Sequence, residues 1–151
     1  MTKINCYLED LKIGARFGSG RALVNESVIK SFASQFDPQP FHMSGELSKD
    51  TIFQGLAASG WHTAAITMRL LVQSEFKPAG GLIGAGLDDL KWYRPVRPGD
   101  ELTLDIEIVG IRPSKSKPDQ GIVRLKVATF NQKSEEVLGY TANLVVKRNV
   151  T

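Results

Sequence analysis

From Glu101 to Gly110 the chain alternates: Leu102, Leu104, Ile106 and Ile108 fall on one side, and Thr103, Asp105 and Glu107 on the other. A period of two sends successive side chains to opposite faces, so this stretch predicts a strand with one buried face. The segments 122–130 (IVRLKVATF) and 137–148 (VLGYTANLVVKR) continue the theme, and 81–94 (GLIGAGLDDLKWYR) supplies another strand. Turn residues separate them at RPGD (97–100), KPDQG (117–121) and NQKSEE (131–136). The first half is patterned differently. ARFGSGRAL (15–23) reads as one opening strand. Asn25 suits the N-cap of a helix ending at Phe36, with Val28, Ile29, Phe32 and Phe36 at helical spacing. SGELSKD (44–50) reads as a brief exposed helical turn.

The longest apolar run is GLAASGWHTAAITMRLLVQS, residues 55–74. Twenty residues could cross a bilayer, but Ser59, His62, Thr63 and Arg69 interrupt this run. A helix apolar nearly all round is otherwise buried inside a soluble fold, and that is the expectation here. One buried helix followed by an antiparallel sheet predicts an α+β domain, residues 1–151, with the sheet curled around the helix. The length of 151 residues is enough to bury about two-thirds of the unfolded surface. Composition is ordinary for a globular chain, with 42% hydrophobic and 23% charged residues. The net charge of +3 suits an anionic small molecule but contains no basic block of the nucleic-acid-binding kind. Cys6 is the single cysteine, which excludes an internal disulfide and leaves a small apolar role for it. MTKINCYLEDLK lacks an apolar signal core, so a cytoplasmic protein is expected.

One short stretch carries candidate chemistry. FDPQPFH, residues 36–42, holds Asp37 and His42 five residues apart with Pro38 and Pro40 between them. Each proline fixes φ and removes a backbone donor, so the segment is expected to be a stiff, non-helical loop with neither side chain buried in a regular element.

DPQPFH, then QGLAASGWHTAA, then WYRPVRPGDEL together resemble the MaoC-like dehydratase and R-specific enoyl-CoA hydratase family of the hot-dog fold. The resemblance spans nearly the whole chain, in the family's order and spacing. It implies an antiparallel sheet wrapped around a long central helix, and a hydro-lyase acting on acyl-coenzyme A thioesters. Asp37 and His42 stand at the family's catalytic acid–base pair. Gly55 stands where a backbone N–H meets the thioester carbonyl oxygen. Gln39 and Gln54 replace the motif asparagine and the histidine before the helix glycine, and Phe36 replaces the glycine before the aspartate. The resemblance also implies a homodimer or higher homo-oligomer whose site draws on both chains. No cofactor beyond the substrate's own coenzyme A, no metal, no nucleic acid and no membrane partner is expected.

The residue types suit that chemistry. Adding water to an enoyl thioester needs a group to take a proton from water and another to protonate the α-carbon, work suited to histidine near neutrality. An aspartate beside it can hold the water. N–H groups at a helix N-terminus can meet the developing enolate. Ser59 and Thr63 are candidates for the pocket wall, or for bonding back to the preceding helical turn. His62 is expected to be packed and hydrogen-bonded within the helix. Trp61 and Trp92 are expected in core or interface packing. Arg94, Arg97 and the RPSKSK run, with Lys115 and Lys117, are candidates for the coenzyme's phosphates, or for a solvated surface. A thioesterase and a non-catalytic acyl-thioester-binding domain stand as alternatives.

Overall fold

The structure is a computed structural model and describes residues 6–149. The leader reading rests partly on residues 1–5, which lie outside the described residues. After a 3₁₀ turn at Leu8–Asp10, the elements run β1 (Arg16–Gly18), β2 (Ala22–Val24), α1 (Glu26–Phe36), α2 (Pro40–Met43), α3 (Gly45–Ser48) and α4 (Gly60–Val72). Four long strands follow: β3 (Ile83–Trp92), β4 (Asp100–Pro113), β5 (Gln120–Phe130) and β6 (Glu136–Lys147). The antiparallel sheet has the order β1-β4-β5-β6-β3, with β2 paired to the other end of β4.

The alternation in β4 does what its period predicts. Leu102, Leu104, Ile106 and Ile108 are all buried, and Thr103, Asp105 and Glu107 are not. The inward faces of β5 and β6 join them through Val123, Leu125 and Val127, and through Leu144 and Val146. Ile66, Leu70 and Leu71 of α4 complete the same cluster, so the central helix packs on the sheet.

Three local expectations are corrected. The opening strand is broken, because Ser19–Arg21 stand opposite only Thr103 and Leu104 while both halves pair with β4. An extra residue against two leaves the ladder disrupted there, and Ser19 Oγ takes the N–H of Leu104 at 2.8 Å. The central helix begins at Gly60, not at Gly55. Gln54 and Gly55 hold φ at 53° and 148°, outside the helical region, and Ser59 then caps α4 by accepting from the Trp61 N–H. The helix is also not apolar-buried all round, since Trp61, Met68 and Val72 are exposed.

The third correction falls on the proline-rich stretch. Asn25 caps α1 as expected, but Phe36 is 68% exposed and the buried residues of α1 are Ile29 and Ala33. Asp37, preceding a proline, leaves the helix at φ −154° and ψ 68°. A one-turn helix then starts at Pro40. Proline is tolerated at the first helical position, where its missing N–H would have no partner anyway. His42 sits inside that turn and is 4% exposed.

Candidate active site

The proline turn delivers His42 inward, where its Nδ1 lies 2.7 Å from the carbonyl of Ala57. A carbonyl can only accept, so Nδ1 carries a hydrogen, and in the neutral form of the ring Nε2 keeps its lone pair. Nε2 is 3.4 Å from Asp37 Oδ2. With the ring neutral, Nε2 and Oδ2 are two acceptors close enough to share a single donor, one buried and one part-buried.

The carboxylate is held from two further sides. Ser59 Oγ donates to Oδ2 at 2.7 Å, and Gln39 Nε2 donates to Oδ1 at 2.6 Å. Burial pushes the Asp37 carboxyl up, but the Gln39 and Ser59 hydrogen bonds and the nearby His42 outweigh it and hold the group below the usual carboxylate range. Ser59 therefore does double duty: it caps α4 and ties that cap to Asp37. The sequence reading placed Ser59 inside the helical run, so neither the cap nor the bond to Asp37 was read from it.

His42 opens onto a cleft of about 380 Å³, within the small-molecule range. Its walls include Phe53 and Ala58 from the segment before α4, Gly60 and Thr63 of α4, and Trp92 and Arg94 from the end of β3 and the loop after it. Phe53 also packs near the His42 ring, with centroids 5.7 Å apart. The first amides of α4 point out of its N-terminus. Trp61's is taken by Ser59 Oγ and Thr63's by the Ser59 carbonyl, and Gly60, the first helical residue, lies in the cleft wall. Helix N-termini favour negative charge.

The other expected site residues divide. Thr63 lines the cleft and also bonds back to the Ser59 carbonyl at 3.4 Å. Arg94 lines it with a side chain 57% exposed, paired to Glu135 at 3.2 Å. Gly55 is a correction: its N–H is spent on the Ser48 carbonyl at 3.1 Å, and it precedes α4 by a full turn. Gln54 is another, being exposed and outside the cleft lining. Gln39 reaches Asp37 rather than the cleft. Arg97 is turned away from any phosphate role, because its guanidinium donates to the carbonyls of Leu56, at 3.2 Å, and Phe53. Lys115 and Lys117 sit in the hairpin after β4, whose near end, Asp100, adjoins Arg97. Thirteen steps of strand, a path of at most about 40 Å, separate them from that end.

The tryptophans are not core residues. Trp61 and Trp92 are 60% and 43% exposed and meet edge to face at 5.4 Å. Trp92 also donates its indole N–H to the Gly60 carbonyl at 2.8 Å, and its ring lies where a Cβ on Gly60 would be. His62 is packed as expected, but its buried Nδ1 has no hydrogen-bond partner among the described residues, which corrects the expected hydrogen bond.

A sheet packed on one central helix, with a carboxylate–imidazole pair tied to that helix's cap, is the hot-dog architecture carrying a candidate acid–base site. Known proteins agree with this. A MaoC-like dehydratase from Rhodospirillum rubrum superposes with a TM-score of 0.93 at 52% identity, covering 97% of this chain and all of that one. An uncharacterised Bacillus subtilis protein, YdeM, is 30% identical over 93% of this chain and 99% of its own. The (R)-specific enoyl-CoA hydratase of Rhodospirillum rubrum is 30% identical over 72% of this chain and 74% of its own. The MaoC like domain profile matches residues 12–131, and the chain belongs to that family.

Proposed function

We propose that this protein is a hydro-lyase that adds water to, or removes it from, the acyl chain of a coenzyme A thioester. The observation that carries the reading is the 3.4 Å approach of His42 Nε2 to Asp37 Oδ2 beside an apolar cleft. A water seated there donates one hydrogen to each acceptor. In hydration, Nε2 takes a proton as the water oxygen bonds to the β-carbon. The π electrons move toward the thioester carbonyl, whose developing negative charge meets the Gly60 N–H at the start of α4. The imidazolium then returns its proton to the α-carbon. Asp37, held ionised by Ser59 and Gln39, orients the water and balances the imidazolium charge. Its hydrogen bonds suit it poorly to donate a proton, so both transfers are assigned to His42. Membership of a dehydratase family and similarity to an (R)-specific enoyl-CoA hydratase support this reading.

The test is an assay with trans-2-enoyl-coenzyme A as substrate. Hydration predicts loss of the conjugated ultraviolet absorbance with no free thiol. Release of thiol with the double bond intact would instead favour a thioesterase, and silence in both channels a binding domain.

We further propose that the chain works as a homodimer. β3 is a ten-residue edge strand, nine of whose residues are exposed, and it includes Ile83, Leu87 and Trp92. Trp61, Met68 and Val72 form an exposed apolar stripe along α4. A long unpaired edge next to apolar surface is a ready template for a second chain.

A further inference from the structure

His62 lies in the first turn of α4 but is not among the residues that line the cleft. It is 7% exposed, and its ring stacks flat on Phe32 of α1, with centroids 4.7 Å apart and planes 7° apart. Its Nδ1 is the one buried side-chain nitrogen or oxygen without a hydrogen-bond partner among the described residues. Buried polar atoms nearly always have partners; this one has none, and the ring contact the structure gives His62 is the stack on Phe32.

What the stack holds is the end of α1. Phe36, in the last turn, is largely exposed and meets the Phe32 ring at 5.0 Å. Ala33 is buried there, and the Phe32–His62 stack joins that half of α1 to α4. Asp37 is the next residue: it is the C-cap of α1, and its N–H bonds to the Ala33 carbonyl at 2.9 Å. The direction of the carboxylate therefore follows the seating of α1. Three residues before His62, Ser59 grips the same carboxylate. One turn of α4 thus touches the Asp37 unit at two points, Ser59 directly and His62 through Phe32.

We propose that His62 is a positioning residue for Asp37, its ring fastening the C-terminal turn of α1 through Phe32 so that the carboxylate faces His42. The proposal rests on the reading of Asp37 as the water-orienting carboxylate of the hydration site. A neutral ring is what the site accommodates: burial, and then the charge of Arg69 along α4, lower the tendency of His62 to take a proton. From α1 it meets the uncharged face of Phe32, and the charged residues of that helix, Glu26 and Lys30, pair with each other at 3.3 Å.

The experiment compares His62→Ala and His62→Phe in the full chain, reading amide hydrogen exchange at Asp37 against a sheet amide, Val127. In His62→Ala, exchange at Asp37 should rise on the order of tenfold while Val127 is unchanged, because opening is local to α1. His62→Phe keeps the stack and should restore wild-type protection. Turnover on enoyl thioesters should follow the same order, with kcat reduced and KM unchanged in His62→Ala and both normal in His62→Phe. Wild-type exchange at Asp37 in folded His62→Ala would overturn the proposal. So would a His62→Phe protein as impaired as His62→Ala. Should the alanine variant not fold, His62→Leu, which fills the space without a ring, takes its place under the same criteria. A wild-type protein that hydrates nothing would count against the proposed reaction alone, since the exchange result stands without turnover.

Discussion

Asp37 and His62 illustrate how one-residue environments set the chemistry. Burial works against charge in both, raising the carboxyl and lowering the imidazole. Asp37 recovers its charge because Gln39 and Ser59 donate to it; His62 has no such compensation. The consequence for His62 is measurable. In the unfolded chain it takes up a proton near the ordinary imidazole value of about 6.5, while in the fold it resists, so acid favours unfolding below that pH. Its contribution to stability is whole above that value and falls as pH drops toward the lowered folded value. The slope can reach at most about 1.4 kcal/mol per pH unit for one proton. His62→Phe should therefore lose less melting temperature than wild type between about pH 6.5 and 5. Parallel curves for the two proteins would contradict this.

At the scale of elements, the loop from Phe53 to Leu56 depends on Arg97, whose fork grips both of those carbonyls while its own N–H bonds Asp100 at 2.8 Å. Arg97→Lys keeps the charge but not the planar fork, so it should fail as a substitute. We expect both Arg97→Ala and Arg97→Lys to lower turnover about equally on coenzyme A thioesters and on short thioesters lacking the nucleotide, because the Phe53 wall loosens for both. A loss confined to coenzyme A substrates, rescued by lysine, would return Arg97 to phosphate binding. The sequence alone could not separate these roles, since a guanidinium donates equally well to a phosphate and to two carbonyls. Elsewhere legibility followed periodicity. β4 was readable because one of its faces is buried and the other is not, whereas the exposed stripe of α4 looked like core because its residues are apolar. The turn holding His42 was hidden by the two prolines, which argue against a helix interior but not against its first position. The Asp37–His42 pair was visible as residues, and Ser59 and Gln39 as site candidates, but the bonds by which these two fix the carboxylate's state were visible only in three dimensions.

For the whole molecule, the exposed β3 edge and the apolar stripe of α4 lie on the surface that a second copy would cover. Trp92 belongs to both the edge and the cleft wall, so association and the site are neighbours. Light scattering at micromolar concentration should find a dimer. A stable monomer there would contradict the proposed homodimer and leave the tryptophan pair as free surface.

The central claim is that Asp37 and His42 act as one unit on one water. Its most direct test is the steady-state rate of Asp37→Asn, His42→Ala and the double variant on trans-2-enoyl-coenzyme A, each shown folded by circular dichroism. Acid–base groups contribute roughly 10²–10⁴-fold, so each single change should cut kcat by at least about a hundredfold. The double variant should be little slower than the poorer single one, because groups acting together are not additive. Normal turnover in folded Asp37→Asn, or losses that multiply in the double variant, would contradict the account.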